Sequence, residues 1–320
     1  MQANPLPPLF AERLKGIVPP ADYLRCLDSF SQVKEVTFRL LQHVPAAAQT
    51  PSLLTGLGLS ATPVPGLPQV YRIPAAQKTL LTRSAPFAAG SLYIQSLSSM
   101  LPALLLAPAP TDWVADLTAA PGGKTIHLAE LMHNQGKISA VEQVRSRYYK
   151  LKANLEKHHV HNTRCYHKDS RWLWKQCKEQ FDRILLDAPC SSEARFSTLV
   201  PESMKYWSIR KIREMARKQK QLLYSAAQCL KPGGTLVYST CSFAPEENEM
   251  VIQHLLKKMQ GSIRVSPIDT TGPLCRQLCV QPGLTGWMQQ RFDPSLSNAI
   301  RILPDEQAIG FFVCRLVKEK

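Results

Sequence analysis

Acidic residues, long apolar runs and paired cysteine motifs are all scarce in this sequence. Its 320 residues carry 24 Asp and Glu against 39 Lys and Arg, a net charge of +15 with a pI near 9.5. An excess of that size favours polyanionic partners such as nucleic acid, although charge alone does not separate RNA from DNA or from an acidic membrane. The apolar stretch Leu101–Ala107 is far shorter than the ~20 residues a bilayer requires. Nine cysteines occur without a C-x-x-C pair, and a chain this long needs no stapling, so a reduced, cytoplasmic protein is expected. Cys275 and Cys279 stand four apart with no second cluster to complete a zinc site, so no metal is expected. The opening MQANPLPPLFAERLKG has neither the apolar core of a signal peptide nor the acid-free character of a presequence.

Two nucleotide fingerprints are missing as well. Gly123-Lys124-Thr125 looks like the end of a phosphate loop, but position 118, where that loop needs glycine, is Thr118. The three glycines of a dinucleotide turn are reduced to Gly122 and Gly123. What is present is DLTAAPGGKT at 116–125, a strand end, a small-residue turn and a helix start. Glycines there let the backbone approach a ligand, and the helix start offers free amide donors.

Residues 1–88 hold 12 of the 25 prolines and read as a compact accessory domain, with helices near 8–15 and 21–30 and a half-buried, alternating strand at 35–40. From residue 89 to 320 strands alternate with amphipathic helices, the pattern of a doubly wound α/β sheet. Strands are expected at 112–116, 137–142, 163–167, 183–187 and 235–240, with an antiparallel last strand at 311–317. Helices are expected at 124–133, 144–158, 172–179 and 209–230. Ligands in such a sheet bind beyond the carboxyl ends of the strands, where Asp116, Glu142, Asp169, Asp187 and Thr240 fall. Glu142 suits a ribose diol. Asp169 suits either an adenine amino group or a helix cap.

Cys190 and Cys241 are 51 residues apart, yet each follows a strand, and the fold brings both to one edge of neighbouring strands. Cys26, Cys165, Cys177, Cys229 and Cys314 read as small, inert hydrophobes. The motifs YIQSLSSMLPALLL (93–106), DLTAAPGGKT (116–125), AVE (140–142), LLDAPCS (185–191), LKPGGTLVYSTCSFAPEENE (230–249), RILP (301–304) and GFF (310–312) come in an order that resembles the Sun-type RNA cytosine carbon-5 methyltransferases. The resemblance covers about 91–317. It implies a Rossmann-like class I methyltransferase domain with a mostly parallel seven-stranded sheet and a small N-terminal α+β domain.

The same resemblance implies S-adenosyl-L-methionine as cofactor, held by Ala119, Ala120, Pro121, Gly122, Gly123, Lys124, Thr125, Glu142, Arg147, Asp169 and Asp187. It makes Cys241 the nucleophile, gives Cys190 a part in product release and sets Asp187 against ring nitrogen 3. Lys124 is expected to organise Asp187 or the cysteines, or merely to solvate the helix start. Residue chemistry alone does not choose between the cysteines. The implied partner is structured RNA, small-subunit rRNA first and tRNA second, methylated by a monomer. A non-catalytic RNA-binding assembly factor is the reading from another class.

The helix at 209–230 and the residues before it carry Lys205, Arg210, Lys211, Arg213, Arg217, Lys218 and Lys220 with Glu214 the only acid, a density that suits a phosphate backbone or a solvated face. Tyr148, Tyr149, Trp172 and Trp174 suit base stacking or a core. Two departures from the family pattern stand out. Ser192-Glu193-Ala194-Arg195 replaces the glycine that usually follows Pro-Cys-Ser, so a different target-loop shape is expected. Leu41 and Gln42 replace an asparagine and threonine after Phe38-Arg39.

Overall fold

The computed structural model describes residues 5–320, and the first four residues of the expected accessory domain lie outside the described residues. Two short helices lead, α1 (Pro8–Ile17), which opens on a proline, and α2 (Tyr23–Ser29). An antiparallel sheet follows, in the order β2 (Thr62–Val64), β3 (Leu67–Ile73), β1 (Val36–Leu40), β4 (Leu92–Ile94). Three helices, α3 (Thr50–Gly56), α4 (Lys78–Arg83) and α5 (Ala85–Ala88), connect these strands. Phe38, Leu54, Leu81 and Leu92 form the core beneath them.

β1 departs from the expected half-buried alternation. It pairs with β3 on one side and β4 on the other, and Thr37 to Leu40 are all buried, Arg39 among them. A cation there needs partners. Arg39 donates Nε to Gln95 Oε1 at 3.0 Å and forms an ion pair with Glu130 through Nη1.

The larger part of the chain forms strands β5 (Trp113–Asp116), β6 (Lys137–Val141), β7 (Thr163–Tyr166), β8 (Phe181–Asp187), β9 (Leu230–Thr240), β10 (Ile263–Ser266), β11 (Cys279–Pro282), the hairpin β12 (Gly286–Trp287) and β13 (Gln290–Arg291), β14 (Ile300–Leu303) and β15 (Phe311–Lys318). Its helices are α6 (Leu97–Leu106), α7 (Gly123–Leu131), α8 (Arg145–Lys157), α9 (Ile209–Cys229) and α10 (Glu249–Met259). The sheet runs β11-β14-β15-β9-β8-β5-β6-β7, with β10 also on β15. The ladders among β7, β6, β5, β8 and β9 are parallel. The chain winds outward in one direction from β5 to β7 and in the other from β8, so the switch point lies between β5 and β8.

The doubly wound class is as expected, and the last strand is antiparallel as expected. The sheet has nine strands, not seven. β15 is long enough for its outer edge to be divided, β14 pairing with Phe311–Val313 and β10 with Arg315–Lys318. The helix expected at 172–179 is instead a 3₁₀ turn at Ser170–Lys175, capped by Asp169 and pinned where buried Ser170 donates to the Leu117 carbonyl at 2.6 Å.

Both sheet faces are covered, so Val114–Ala115, Ile184–Leu186 and Leu236–Tyr238 run apolar and buried through the middle of the central strands. In β8, Ile184 and Leu186 pack with Leu222, Leu223 and Val251 of α9 and α10, while Leu185 packs with Leu97, Leu101 and Leu128 of α6 and α7. Trp174 joins the first of these cores, while Tyr149 and Trp172 are exposed. The leading helices pack on the larger part rather than only on the small sheet: the Phe10 and Phe196 rings meet at 4.9 Å, and those of Phe30 and Phe243 at 6.1 Å.

Arg39 of β1 reaches Glu130 of α7, so this buried pair fastens the small sheet to the larger one. Breaking one partner of such a pair costs about 3–5 kcal/mol because the other charge is left buried. Arg39→Met is expected to lower the unfolding free energy by about that amount in urea titration, with much of the loss recovered in Arg39→Met/Glu130→Leu. A single variant within 1 kcal/mol of the parent, on the order of a surface pair, would show that the pair anchors nothing.

Candidate active site

The strand ends that flank the switch point supply the site. β5 ends at Asp116, which is buried and accepts from Thr125 Oγ1 at 2.7 Å. Burial and the nearby Asp187 push its carboxyl up to about 6, against the Thr125 hydrogen bond, which pulls it down. The turn that follows puts Gly122 at φ 113°, a conformation other residues avoid. A side chain on Gly123 would run into the Tyr93 ring at 2.7 Å. Two donors from α8 hold the turn from outside, Arg147 to the Ala120 carbonyl at 2.6 Å and Asn154 to the Pro121 carbonyl at 2.7 Å.

Ala119, Ala120, Pro121, Gly123, Lys124, Glu142, Arg147, Asp169, Asp187, Cys190 and Cys241 all line one cavity of about 850 Å³. Gly122 and Thr125 do not. Gly122 is turned under Leu151, and Thr125 is fully buried against Asp116, so both shape the turn from beneath. Glu142 accepts from the Val144 amide at 2.8 Å and lies 3.7 Å from Arg147, which leaves acceptor capacity facing the cavity. Asp169 does what a cap does: it accepts from the Arg171 amide at 3.0 Å and pairs with the Arg171 guanidinium at 2.6 Å.

Lys124, at the start of α7, points across the cavity rather than into solvent. Its Nζ donates to Asp187 Oδ2 at 2.7 Å and to Ser99 Oγ at 2.9 Å, and Ser239 donates to Asp187 Oδ1 at 2.7 Å. Asp187 is thereby fixed at the end of β8 by a cation and a hydroxyl.

Three positions beyond β8 and one beyond β9 the two thiols meet. Cys190 Sγ and Cys241 Sγ are 3.3 Å apart. The hydrogen bond from Cys190, with the positive charge of Arg195 nearby, outweighs burial and holds the Cys241 thiol below the ordinary cysteine range. The same contact, reinforced by burial, pushes Cys190 well up. The pair therefore divides into a thiolate-prone Cys241 and a thiol Cys190.

Three residues that sequence reading left without a role shape this pair. Arg195 lines the cavity and is held above its ordinary range by Cys241. Glu193 is buried and its carboxylate accepts from the Phe243 amide (2.8 Å), the Ala244 amide (2.9 Å), Ser242 Oγ (3.0 Å) and Trp207 Nε1 (2.9 Å). Glu247 accepts from the Ser191 amide at 2.9 Å, the Ser191 hydroxyl, Ser242 Oγ at 2.9 Å and Gln219 Nε2 at 2.9 Å. The two carboxylates tie the loop after β8 to the loop after β9. The signal was present as the acidic run after Thr-Cys-Ser and as the glutamate at 193. Ser192 sits at φ 61°, the left-handed region that glycine favours, so replacing the family's glycine changes the side chain and keeps a turn of the kind glycine would make.

The family model described as 16S rRNA methyltransferase RsmB/F matches residues 103–317. The chain belongs to this family. It is 37% identical over 265 residues to the ribosomal RNA small subunit methyltransferase F of Cronobacter sakazakii, covering 82% of this chain and 52% of that protein. The protein of the same name from Vibrio vulnificus is 33% identical over 319 residues, covering 98% of this chain and 64% of its own length. The chain thus spans between about half and two thirds of these curated relatives. A crystal structure of a methyltransferase homolog protein from Pyrococcus horikoshii superposes with a TM-score of 0.81 at 31% identity, covering 98% of this chain and 95% of the other. Among the described residues no helix is long and apolar enough to cross a membrane, and no group of three metal-ligating side chains occurs.

Burial, with the neighbouring Glu193 charge, pushes the Glu247 carboxyl up to about 7, against its hydrogen bonds. A carboxyl raised on folding binds more protons in the native state, so it stabilises at low pH and that stability is lost as pH rises from about 4.5 to about 7. Glu247→Gln keeps the shape: the amide oxygen can face the Ser191 and Gln219 donors, and the amide nitrogen can face hydroxyls that rotate to accept. The variant is expected to remain folded and to flatten the decline in unfolding free energy across that range, by up to about 3 kcal/mol. Denaturation series at pH 5, 6, 7 and 8 would refute this if both proteins declined in parallel.

Proposed function

We propose that this chain is an S-adenosyl-L-methionine-dependent RNA (cytosine-5)-methyltransferase whose substrate is small-subunit rRNA. The observation that carries the reading is the pair of thiols 3.3 Å apart beside Asp187, at the carboxyl end of a doubly wound sheet. A single-stranded-RNA-binding factor needs neither thiol. The names of the relatives favour rRNA over tRNA. On this reading residues 89–320 are the catalytic domain and residues 1–88 an accessory domain that positions RNA in the cytoplasm. On this reading the chain acts as a monomer.

The cavity's donor set fits the cofactor: carboxylates for a ribose and a sulfonium, a close-approach turn and no phosphate loop. When bound, S-adenosyl-L-methionine supplies the methyl group and leaves as its thioether. The chain's residues handle the base. Carbon 5 of cytosine is a weak nucleophile until a sulfur adds to carbon 6. Cys241, the more readily ionised thiol, makes that bond. Electron density then moves toward ring nitrogen 3, which takes up a proton from solvent, and the Asp187 carboxylate, held by Lys124 and Ser239, accepts a hydrogen bond from the N–H so formed. After carbon 5 is methylated its proton leaves to solvent, the carbon–sulfur bond breaks as the ring double bond re-forms, and nitrogen 3 returns its proton to solvent. Cys190, hydrogen-bonded to Cys241, stabilises the departing thiolate. The target base has to be unpaired or flipped to reach these thiols.

Cys190→Ala, incubated with small ribosomal subunits or rRNA and labelled cofactor, is expected to accumulate a protein–RNA adduct stable on denaturing gels. Cys190→Ala/Cys241→Ala is expected to give none, and Cys241→Ala to lose methyl transfer by at least about 10³-fold, the scale of losing an activated nucleophile. Full activity in Cys241→Ala would sink the mechanism. Absence of transfer by the unmodified protein to rRNA, with transfer to tRNA, would move the substrate.

A further inference from the structure

Helix α9 carries two basic stripes, and only one of them is neutralised. Lys211 and Lys218 pair with Glu214 at 3.4 Å and 2.7 Å. Arg210, Arg213, Arg217 and Lys220, spaced three or four residues apart along the neighbouring face, make no ion pair among the described residues. Three of these four form one wall of a second cavity of about 750 Å³, whose opposite wall is the β12–β13 hairpin with Trp287 and Met288. The acid in that groove, Glu246, is already engaged by Arg13 at 2.6 Å.

The hairpin wall is of the kind that takes a base. Arg13 lies 5.3 Å from the centre of the Trp287 ring, the half-buried Trp287 lines the groove while packing on the core behind it, and Met288 is 78% exposed. A cationic rail facing an aromatic and thioether platform is the combination that binds single-stranded nucleic acid, phosphates on one side and bases on the other. The groove lies across α9 from the cavity that holds the cysteines. Met215 and Lys218 line that cavity, and Arg213, Ala216 and Arg217, on the far side of the same turns, line the groove, so one helix diameter, ~10 Å, separates the two. A base entering the cysteine cavity is unpaired, so the strand beside it has unpaired neighbours to accommodate.

We propose that this groove is the exit track for the RNA strand flanking the target cytosine, with Arg210, Arg213, Arg217 and Lys220 on its phosphates and the Trp287–Met288 turn under one of its bases. This rests on RNA being the substrate. None of these side chains touches the reacting atoms, so the track acts on RNA affinity and leaves the chemical step alone.

Arg213→Gln/Arg217→Gln/Lys220→Gln tests it on small-subunit rRNA. Neutralising three phosphate contacts is expected to raise the dissociation constant at least tenfold near physiological salt and to reduce the slope of log affinity against log salt by about 2–3. KM for RNA should rise in step, while kcat at saturating RNA and S-adenosyl-L-methionine affinity stay within twofold of the parent. Lys211→Gln, on the neutralised stripe, should leave all five unchanged. Photocrosslinking of 4-thiouridine-substituted rRNA to the unmodified protein should place adducts within residues 286–291. An rRNA-methylating protein whose triple variant keeps the parental slope and KM, or whose adducts avoid 286–291, overturns the track and leaves the stripe to an acidic protein partner. A parent that methylates no RNA refutes the substrate reading instead.

Discussion

Two sulfur atoms in van der Waals contact, carried on neighbouring parallel strands, set the constraint that the rest of the molecule meets. Parallel pairing of β8 with β9 aligns Asp187 with Ser239, so the residues that follow each strand emerge at one edge and at one height. Backbone pairing alone does not hold two loops within a few tenths of an ångström. Glu193 and Glu247 do so by accepting from the Ser191, Phe243 and Ala244 amides and from the Ser191 and Ser242 hydroxyls. Burying two carboxylates for this purpose is costly, and it is repaid only because their hydrogen bonds are nearly complete.

The same requirement explains how the ends of the chain are used. Helices α1 and α2 do not complete the small sheet; they lay Phe10 and Phe30 over Phe196 and Phe243, the aromatic lid on the two cysteine loops. From the other end, Arg301 of β14 pairs with Glu249 and donates to the Phe243 carbonyl at 2.9 Å. The loops are thus clamped by segments nearly three hundred residues apart in sequence. Damage at either end would be felt first at the thiols rather than in the sheet core.

Much of this was legible in the sequence because it is written in local pattern. Apolar runs closed by an acid mark β5 and β8, and the small-residue turn at 119–123 marks the cavity floor. The pairing of Cys190 with Cys241 followed from strand order alone. What was not legible depends on contacts between distant segments. β1 was expected half-buried because residues 35–40 alternate, and only Glu130 and Gln95, 91 and 56 positions away, make the burial of Arg39 tolerable. Of the extra edge strands, one arises because β15 is long enough to carry both β10 and β14, and the other is β11, which pairs on β14; no periodicity reveals either. Glu193, Glu247 and Arg195 were visible as residues but not as partners of the cysteines, because an acid in a loop is ordinarily solvated.

The division of charge along α9 follows from the same geometry. A helix beside the thiols has to present its apolar side to β8 and β9, which Leu222, Leu223 and Ala226 do. Its remaining surface is then split between the reaction cavity and the hairpin groove. A cation facing the cavity lies near Asp187 and the thiols and would perturb them if left bare; Lys218 there is compensated by Glu214. Cations facing the groove are screened from the thiols by the helix itself, so their charge can stay unpaired without disturbing the Cys190–Cys241 balance. On α9, unpaired positive charge is therefore placed where it can hold a polyanion, and the cation that biases the Cys190–Cys241 pair is Arg195, from the loop after β8.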